Sequence, residues 1–225
     1  MSELTLEQKV DRLTDRADVA NVMGKYVYYH YANEYEKLAN LFALDRDDVT
    51  AEISNWGVYK GGESIRRLYP ILHQTFLLGD GKGRLHANCI TTPVIEVAHD
   101  GKTAKGLWFI TGAETSPNDD DVLEPHWTWA RYAIDFIKEA DGWKIWHLHV
   151  VGLFHYPTSS SWVDYKEPHR ELDWIPEELR ADEPMTRDFA YGVDRVCDLY
   201  PAPPEPYETF DETFSYYDRY EKGSV

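Results

Sequence analysis

Residues 93–104 read PVIEVAHDGKTA and decide the fold, because they contain a β-strand, a tight turn and the start of a second strand. Valine and isoleucine favour strands, and an Asp-Gly pair between two apolar runs is the strongest short-range signal for a β-hairpin. The same pattern recurs in residues 134–150, IDFIKEADGWKIWHLHV. These two turns predict an antiparallel meander of four long strands, at about 85–98, 103–115, 125–138 and 143–155.

Helical signals precede the meander. Apolar residues recur at three- and four-residue spacing from Leu6 to His30, and Thr5 with Gln8 fits a capping box at the start of this helix. Two further helices are predicted at 33–43 and 63–77, and a short pair of strands at 49–54 and 56–60. This order indicates an α+β fold, a cone in which a curved antiparallel or mixed sheet and three helices enclose an apolar pocket.

The chain of 225 residues has no glycine- or serine-rich linker, so one main domain is expected over residues 1–156. Residues 157–225 form a C-terminal extension with 17 acidic and 7 basic side chains, eight prolines and many aromatic residues. Disordered linkers are poor in aromatic residues. The extension is therefore expected to pack as a strap against its own domain or against a neighbouring subunit.

The composition excludes several classes of function. A net charge of −17 opposes binding to nucleic acid or to anionic membranes, and no apolar run is long enough to cross a bilayer. The polar N-terminus lacks the pattern of a secretory signal, which predicts a cytoplasmic protein. Cys89 and Cys197 are too few for a disulfide framework or a four-cysteine zinc site. The sequence has no phosphate loop, dinucleotide fingerprint or Gly-x-Ser-x-Gly elbow, so no cofactor is expected.

Four local patterns follow one another along the chain: Lys25-Tyr26 followed by Tyr31 and Glu34-Tyr35, Gly61-Gly-Glu-Ser-Ile65, His86 ahead of Pro93 and Asp100-Gly101, and Asp141-Gly-Trp-Lys-Ile145. In this order and spacing they resemble the SnoaL-like branch of the nuclear transport factor 2-like superfamily. Members of this branch are small lyases, dehydratases, isomerases and cyclases. The resemblance covers about residues 8–155 and implies a hydrophobic small-molecule substrate and a homo-oligomer, either a trimer or a dimer.

The resemblance implies a catalytic role for His86. In family members that eliminate water or a halide, a histidine at the start of the third strand acts with an aspartate at the end of the first helix, and His86 matches that histidine. The aspartate position falls on Tyr31, and Tyr26 matches a tyrosine of the bile-acid dehydratases. These three residues are therefore expected to supply imidazole and phenol chemistry in place of the usual Asp–His pair.

Residues 203–210, PPEPYETF, and the many aromatic residues resemble a subgroup with cofactor-independent lyases of lignin-derived diaryl diols. In those enzymes loss of a benzylic hydroxyl gives a quinone methide, which accepts the electrons of carbon–carbon cleavage as formaldehyde leaves. The resemblance implies a lyase of this type. Two other interpretations remain open, because a fold does not determine its function: a dehydratase, isomerase or cyclase of steroid- or polyketide-like substrates, and a non-catalytic ligand-binding or assembly protein.

Periodicity within single elements predicts further pocket residues. His86 and Asn88 share one face of a strand, and an imidazole can move a proton at neutral pH. Asn88 is expected to contact the substrate. Helical spacing places Tyr26 and His30 on one face of the first helix, with burial as core aromatics as the alternative.

In residues 125–138 an arginine follows two tryptophans at alternate positions. Alternation places Arg131 and Trp129 on one face, so Arg131 is expected to bind an oxyanion or a phenol, with an ion pair to a neighbouring carboxylate as the alternative. His149 is a second candidate for that contact. Trp108 is expected to form either pocket wall or core.

Histidine spacing leaves one metal site to consider. His147 and His149 share a face of the last run and would form a three-histidine site together with His86. Strand spacing is not diagnostic of a metal site, and no metal is predicted.

Overall fold

The structure is a computed structural model that describes residues 4–117, 122–165, 172–187, 190–212 and 215–217. Its N-terminal half contains helices α1 (Leu6–Tyr31), α2 (Tyr35–Ala39) and α3 (Gly61–Arg66), and a π-helix (Arg67–Leu77) that continues α3. Within the described residues, no helix combines the length and the apolarity needed to span a bilayer.

Six strands in the described part of the chain form one curved sheet. They are β1 (Thr50–Ile53), β2 (Gly57–Lys60), β3 (His86–Val97), β4 (Thr103–Pro117), β5 (Leu123–Glu139) and β6 (Gly142–Pro157). Their order across the sheet is β2-β1-β6-β5-β4-β3. β1 runs parallel to β6, whereas the other neighbouring pairs are antiparallel, so the sheet is mixed. The α+β cone predicted from the sequence is confirmed.

Both Asp-Gly turns form the predicted hairpins. The first joins β3 to β4 and the second joins β5 to β6. Gly101 has a φ of 68° and Gly142 has a φ of 127°. Residues with a side chain rarely adopt these positive values, so glycine is required for both turns.

Helix α1 begins with the predicted capping box, but its first half is oriented differently from the prediction. Arg12 Nη2 donates to the Val97 carbonyl at 2.8 Å. Asp15 is buried and accepts from Lys138 Nζ at 2.6 Å and from Trp143 Nε1 at 2.9 Å. Because these polar contacts turn the Arg12–Asp15 face toward the sheet, three apolar residues that were expected to be buried are exposed, namely Leu6, Val10 and Leu13.

Helix α2 is shorter than the predicted span 33–43. It ends at Ala39 because the chain then joins the sheet edge, where Phe42 forms a parallel bridge with Ile145 and the Ala43 N–H donates to the Ile145 carbonyl at 2.9 Å. This pairing removes the last predicted turn of the helix.

Strand β5 is packed on both of its faces, because successive side chains of a strand alternate. Tyr132, Ile134 and Phe136 belong to the main core on the inner face, which α1 and α2 cover. On the outer face, Ala133 packs against Tyr216 of the C-terminal extension. At Tyr216 the extension thus lies on the sheet of its own chain.

Asp135, on the outer face of β5, is fully buried and has four hydrogen-bonding partners among the described residues. Lys105 Nζ donates at 2.6 Å, and His147 Nδ1 lies at 2.9 Å. The extension supplies the Ser215 hydroxyl at 2.7 Å and the Tyr216 N–H at 2.8 Å. Burial alone would raise the pKa of Asp135, but Lys105 and His147 hold it below its ordinary value. One carboxylate therefore joins the extension to the sheet.

Replacing Asp135 with asparagine is expected to lower the free energy of unfolding by about 3–5 kcal/mol, because the buried Lys105 ammonium loses its counter-charge. Urea denaturation at pH 7 measures the change. The variant Asp80→Asn, which removes an exposed carboxylate paired with Lys82, serves as the control and should match the wild type. Equal stabilities for both variants would contradict the role given to Asp135.

Candidate active site

A row of polar side chains crosses the inner face of the sheet at the end where β3 begins. His86 is the first residue of β3 and pairs with Glu114 of β4, which in turn pairs with His126 of β5. His155 of β6 completes the row, since its ring stacks on His126 with centroids 4.5 Å apart and planes inclined by 3°. Four strands thus contribute one ionisable residue each.

Glu114 is the centre of this row. Asn88 Nδ2 donates to Glu114 Oε1 at 3.0 Å, and His155 Nε2 lies 3.7 Å from Glu114 Oε2. Gly112 makes the first contact possible, because a Cβ at that position would overlap the Asn88 amide. The carboxylate is therefore fixed by neighbours from β3 and β6.

Helix α1 and the π-helix place two more histidines against His86. The His30 ring lies 5.1 Å from the His86 ring and 5.8 Å from the His73 ring, centroid to centroid. Tyr35 packs edge-on against His30 at 5.4 Å. His30 Nδ1 is buried and has no hydrogen-bonding partner among the described residues. This nitrogen can bond to a ligand that reaches the group.

Tyrosines form the inner wall behind the histidines. The hydroxyls of Tyr26 and Tyr69 are 3.0 Å apart, and the Tyr132 ring meets Tyr26 edge-on at 5.6 Å. Burial raises the pKa of Tyr26, Tyr69 and Tyr132 above the ordinary value. These phenols stay protonated and act as hydrogen-bonding groups.

The C-terminal extension also reaches this group. Trp174 packs edge-on against Trp56 at 5.6 Å, and Trp56 lies 5.4 Å from the His73 ring. The extension therefore adds an aromatic layer next to the histidines and limits the access of water from that side.

Burial keeps the three neighbouring imidazoles neutral at pH 7. It lowers the pKa of His30 well below 6.5, with smaller contributions from His86 and His73. It lowers the pKa of His73 to about 4. Burial also lowers the pKa of His86, but the Glu114 carboxylate opposes that effect and Arg84 adds to it. A neutral His86 beside a carboxylate can accept a proton, and Glu114 stabilises the resulting imidazolium.

Residues 11–149 match the family described as the SnoaL-like domain. The chain belongs to this family. No curated protein matches the sequence significantly.

Solved structures share the fold of this SnoaL-like chain at low sequence identity. LinA matches with a TM-score of 0.54 and 16% identity over 72% of this chain and 99% of its own. The hexachlorocyclohexane dehydrochlorinase LinA-type3 from Novosphingobium barchaimii LL02 matches with a TM-score of 0.53 and 17% identity, over 71% of this chain and 99% of its own. A candidate dehydratase of the NTF2-like family from Streptomyces avermitilis matches with a TM-score of 0.51 and 19% identity, over 63% of this chain and 98% of its own. These matches support the NTF2-like fold.

The structure brings four of the nine predicted site residues together: His86, Asn88, Tyr26 and His30. Tyr31 is not among them, because it is 54% exposed. Successive residues of a helix differ by about 100° in direction, so His30, and not Tyr31, faces His86. The expectation that Tyr31 takes the place of the family aspartate is corrected by this geometry.

Three other predicted residues lie on the outer face of the sheet. Arg131 and Trp129 alternate with the inward-facing Tyr132, and Trp129 packs on Phe154 at 5.3 Å. His149 lies opposite Ala133 and 3.6 Å from Glu52, and burial lowers its pKa to about 4. The prediction that Arg131, Trp129 and His149 line the pocket is wrong for this reason.

Trp108 is a core residue, and the three histidines considered as a metal site are not brought together. Trp108 is on the inner face but packs edge-on against Phe136 in the core, at 6.2 Å. His147 and His149 point away from His86, so these three histidines do not form a site. Among the described residues, no group of three or more His, Cys, Asp or Glu side chains could hold a metal ion.

Sequence reasoning missed Glu114 and His73. Glu114 continues the even-numbered inner positions of β4 after Trp108 and Ile110, and this alternation was a usable signal. His73 follows Tyr69 by four residues on the buried side of the π-helix. In both cases the sequence shows the residue type, but it does not show which residues lie next to it in the folded chain.

Stability is expected to fall as the pH drops from about 6.5 towards 4. In this range the unfolded chain protonates histidines that the folded protein keeps neutral. Each such histidine lowers the free energy of unfolding by about 1.4 kcal/mol per pH unit. Urea denaturation at pH 7, 6 and 5 measures the slope. The variant His73→Phe should reduce it.

The variant Tyr69→Phe is the matched control, since it alters the same ring cluster without removing an imidazole. It should keep the pH slope of the wild type. A His73→Phe variant whose slope equals that of Tyr69→Phe would exclude His73 as a source of the pH dependence.

Proposed function

We propose that this SnoaL-like protein is a cofactor-independent lyase that acts by acid–base chemistry on a hydrophobic aromatic molecule. The observation that carries the proposal is the neutral His86 imidazole beside the Glu114 carboxylate, within a group of buried aromatic rings. A base in such a place can remove a proton from a substrate whose rings are held by the surrounding tyrosines and histidines.

The substrate class that we propose is a diaryl diol of the lignin-derived type, with a phenol para to the benzylic carbon. In the first step His86 takes the phenol proton and passes it to the benzylic hydroxyl as the benzylic C–O bond breaks. The hydroxyl leaves as water, the ring system becomes a quinone methide, and His86 is neutral again.

In the second step His86 removes the proton of the primary alcohol. The C–O bond of that alcohol becomes the carbonyl of formaldehyde, and the adjacent C–C bond breaks. Its electron pair restores the aromatic ring as a phenolate, which the imidazolium reprotonates. The diol thus gives a stilbene, water and formaldehyde, and no external oxidant or reductant is needed.

Other residues of the group support these steps without exchanging protons. Glu114 is a positioning residue, because it acts through His86. His30 can bond to a substrate hydroxyl through Nδ1. Preorganised hydrogen-bonding groups in a site of low polarity stabilise developing charge more effectively than water does.

A dehydratase is the second candidate. Loss of the hydroxyl requires only the first step and the same residues around His86. Incubation of the purified protein with diaryl diols and hydroxysteroids, followed by mass spectrometry, separates the two. Release of formaldehyde supports the lyase, loss of water alone supports the dehydratase, and unchanged substrates throughout would contradict both.

Replacing His86 with alanine is expected to lower kcat/KM by about 10²–10⁴-fold, because the proton-transfer group is lost. The rate of product formation is the measurement. His99→Ala is the matched control, since His99 lies at the far end of the β3–β4 hairpin, near Glu208. A fully active His86→Ala variant would rule out the proposed base.

The variant Glu114→Gln should lower kcat/KM roughly tenfold or more and move the acidic limb of the pH profile to lower pH. Glu114 raises the pKa of His86, so its removal leaves a weaker base that stays unprotonated at lower pH. Glu36→Gln on the exposed side of α2 should change neither quantity. A lower rate without a displaced limb would indicate a purely structural role for Glu114.

A further inference from the structure

A groove with a volume of about 230 Å³ lies on the outer face of the sheet, between the strands and residues 187 and 190–198 of the extension. The strands contribute Phe109, Arg131 and Phe154 to its wall, and the extension contributes Tyr191. The groove is on the opposite side of β5 from His86, so it is separate from the proposed active site.

A β-bulge builds this groove. The register between β5 and β6 shifts between Trp129 and Ala130, which pair with Phe154 and Gly152 and leave Leu153 outside the ladder. The Leu153 carbonyl instead accepts the Tyr191 N–H at 2.7 Å. The extension is thereby held along the edge of the groove by backbone hydrogen bonding.

Arg131 is one of the cations that line the groove. Its Nε atom is buried and has no hydrogen-bonding partner within the described ranges. Burial lowers the pKa of Arg131, although Asp198 opposes this effect. A buried guanidinium N–H without an acceptor is costly, which makes the position favourable for an anion.

Two more arginines and one aspartate line the described part of the groove. Arg187 Nη2 donates to Asp198 at 2.7 Å, and Arg195 Nη1 donates to the Ala190 carbonyl at 2.7 Å. Three arginines and one aspartate therefore line the groove in its described part, and the aspartate is bonded to Arg187.

We infer that this groove binds a small aromatic carboxylate. The planar guanidinium of Arg131 matches the two oxygens of a carboxylate, and Phe109, Phe154 and Tyr191 provide apolar walls for one ring. The volume lies below the roughly 300–1,000 Å³ of pockets for drug-sized ligands, so it suits a ligand with one ring. Inorganic anions would pair with the Arg131 guanidinium but would make no apolar contact with the aromatic walls.

Nuclear magnetic resonance of the ¹⁵N-labelled full-length protein tests this inference directly. Titration with benzoate should shift the Arg131 Nε–H signal in a saturable manner, and comparison with the Arg131→Lys variant assigns that signal. Arg131→Gln should weaken benzoate binding roughly tenfold or more. It should remain folded, because it removes a partly buried charge without leaving a counter-charge unpaired.

Matched controls separate the ion pair from the ring contact. Arg66→Gln removes an exposed arginine of α3 and should leave benzoate affinity unchanged. Acetate and inorganic phosphate should bind more weakly than benzoate to the wild type, as should benzyl alcohol, which lacks the charge.

Equal binding of benzyl alcohol would overturn the role of Arg131, and equal binding of acetate or phosphate would overturn the aromatic class. Absence of a saturable shift would overturn the site. Benzoate shifts at the His86 and His30 rings, with the Arg131 signal unmoved, would also overturn it and would place the ligand in the cone. Because the readout is binding and not turnover, failure of the proposed lyase activity would not affect the result.

Discussion

The buried carboxylate of Asp135 is the interaction on which the arrangement of the chain depends. A carboxylate without solvent needs several donors, and the sheet alone supplies two, from Lys105 and His147. Ser215 and Tyr216 complete the set. The extension is therefore part of the folded unit, since its removal would take away two of the hydrogen bonds to the Asp135 carboxylate. The same extension also places Trp174 against Trp56, next to the inner histidines.

A one-residue irregularity determines which residue meets His86. Near the hairpin turn, Val94 pairs with Leu107, and a continuous ladder would place His86 opposite Thr115. The register shifts between Thr91 and Val94, so His86 pairs with Glu114 instead. Because side chains alternate along a strand, a shift by one residue also exchanges the two faces. The bulge thus creates the His86–Glu114 neighbourhood.

These features explain what the sequence could and could not predict. Hairpins, strand runs and the start of α1 follow from local turn chemistry, alternation and capping, and they were predicted. The bulge near Thr92, whose φ of 48° is unusual for a residue with a side chain, depends on packing across strands. The choice of His30 over Tyr31 depends on how α1 is rotated against the sheet, which Arg12 and Asp15 determine through distant partners. Neither effect is encoded in a local pattern.

The alternation of β5 also separates two electrostatic environments. The inner face presents the Glu114 carboxylate beside His86, whose pKa is lowered by burial, and this favours an uncharged ligand and repels a carboxylate. The outer groove presents Arg131, whose Nε–H has no acceptor among the described residues, and this favours the opposite charge. Since the two environments are separated by the thickness of one sheet, a neutral aromatic molecule and an aromatic carboxylate would be sorted between its faces by charge alone. This division gives the C-terminal extension a role beyond stability, because the extension forms one wall of the groove and the strands form the other.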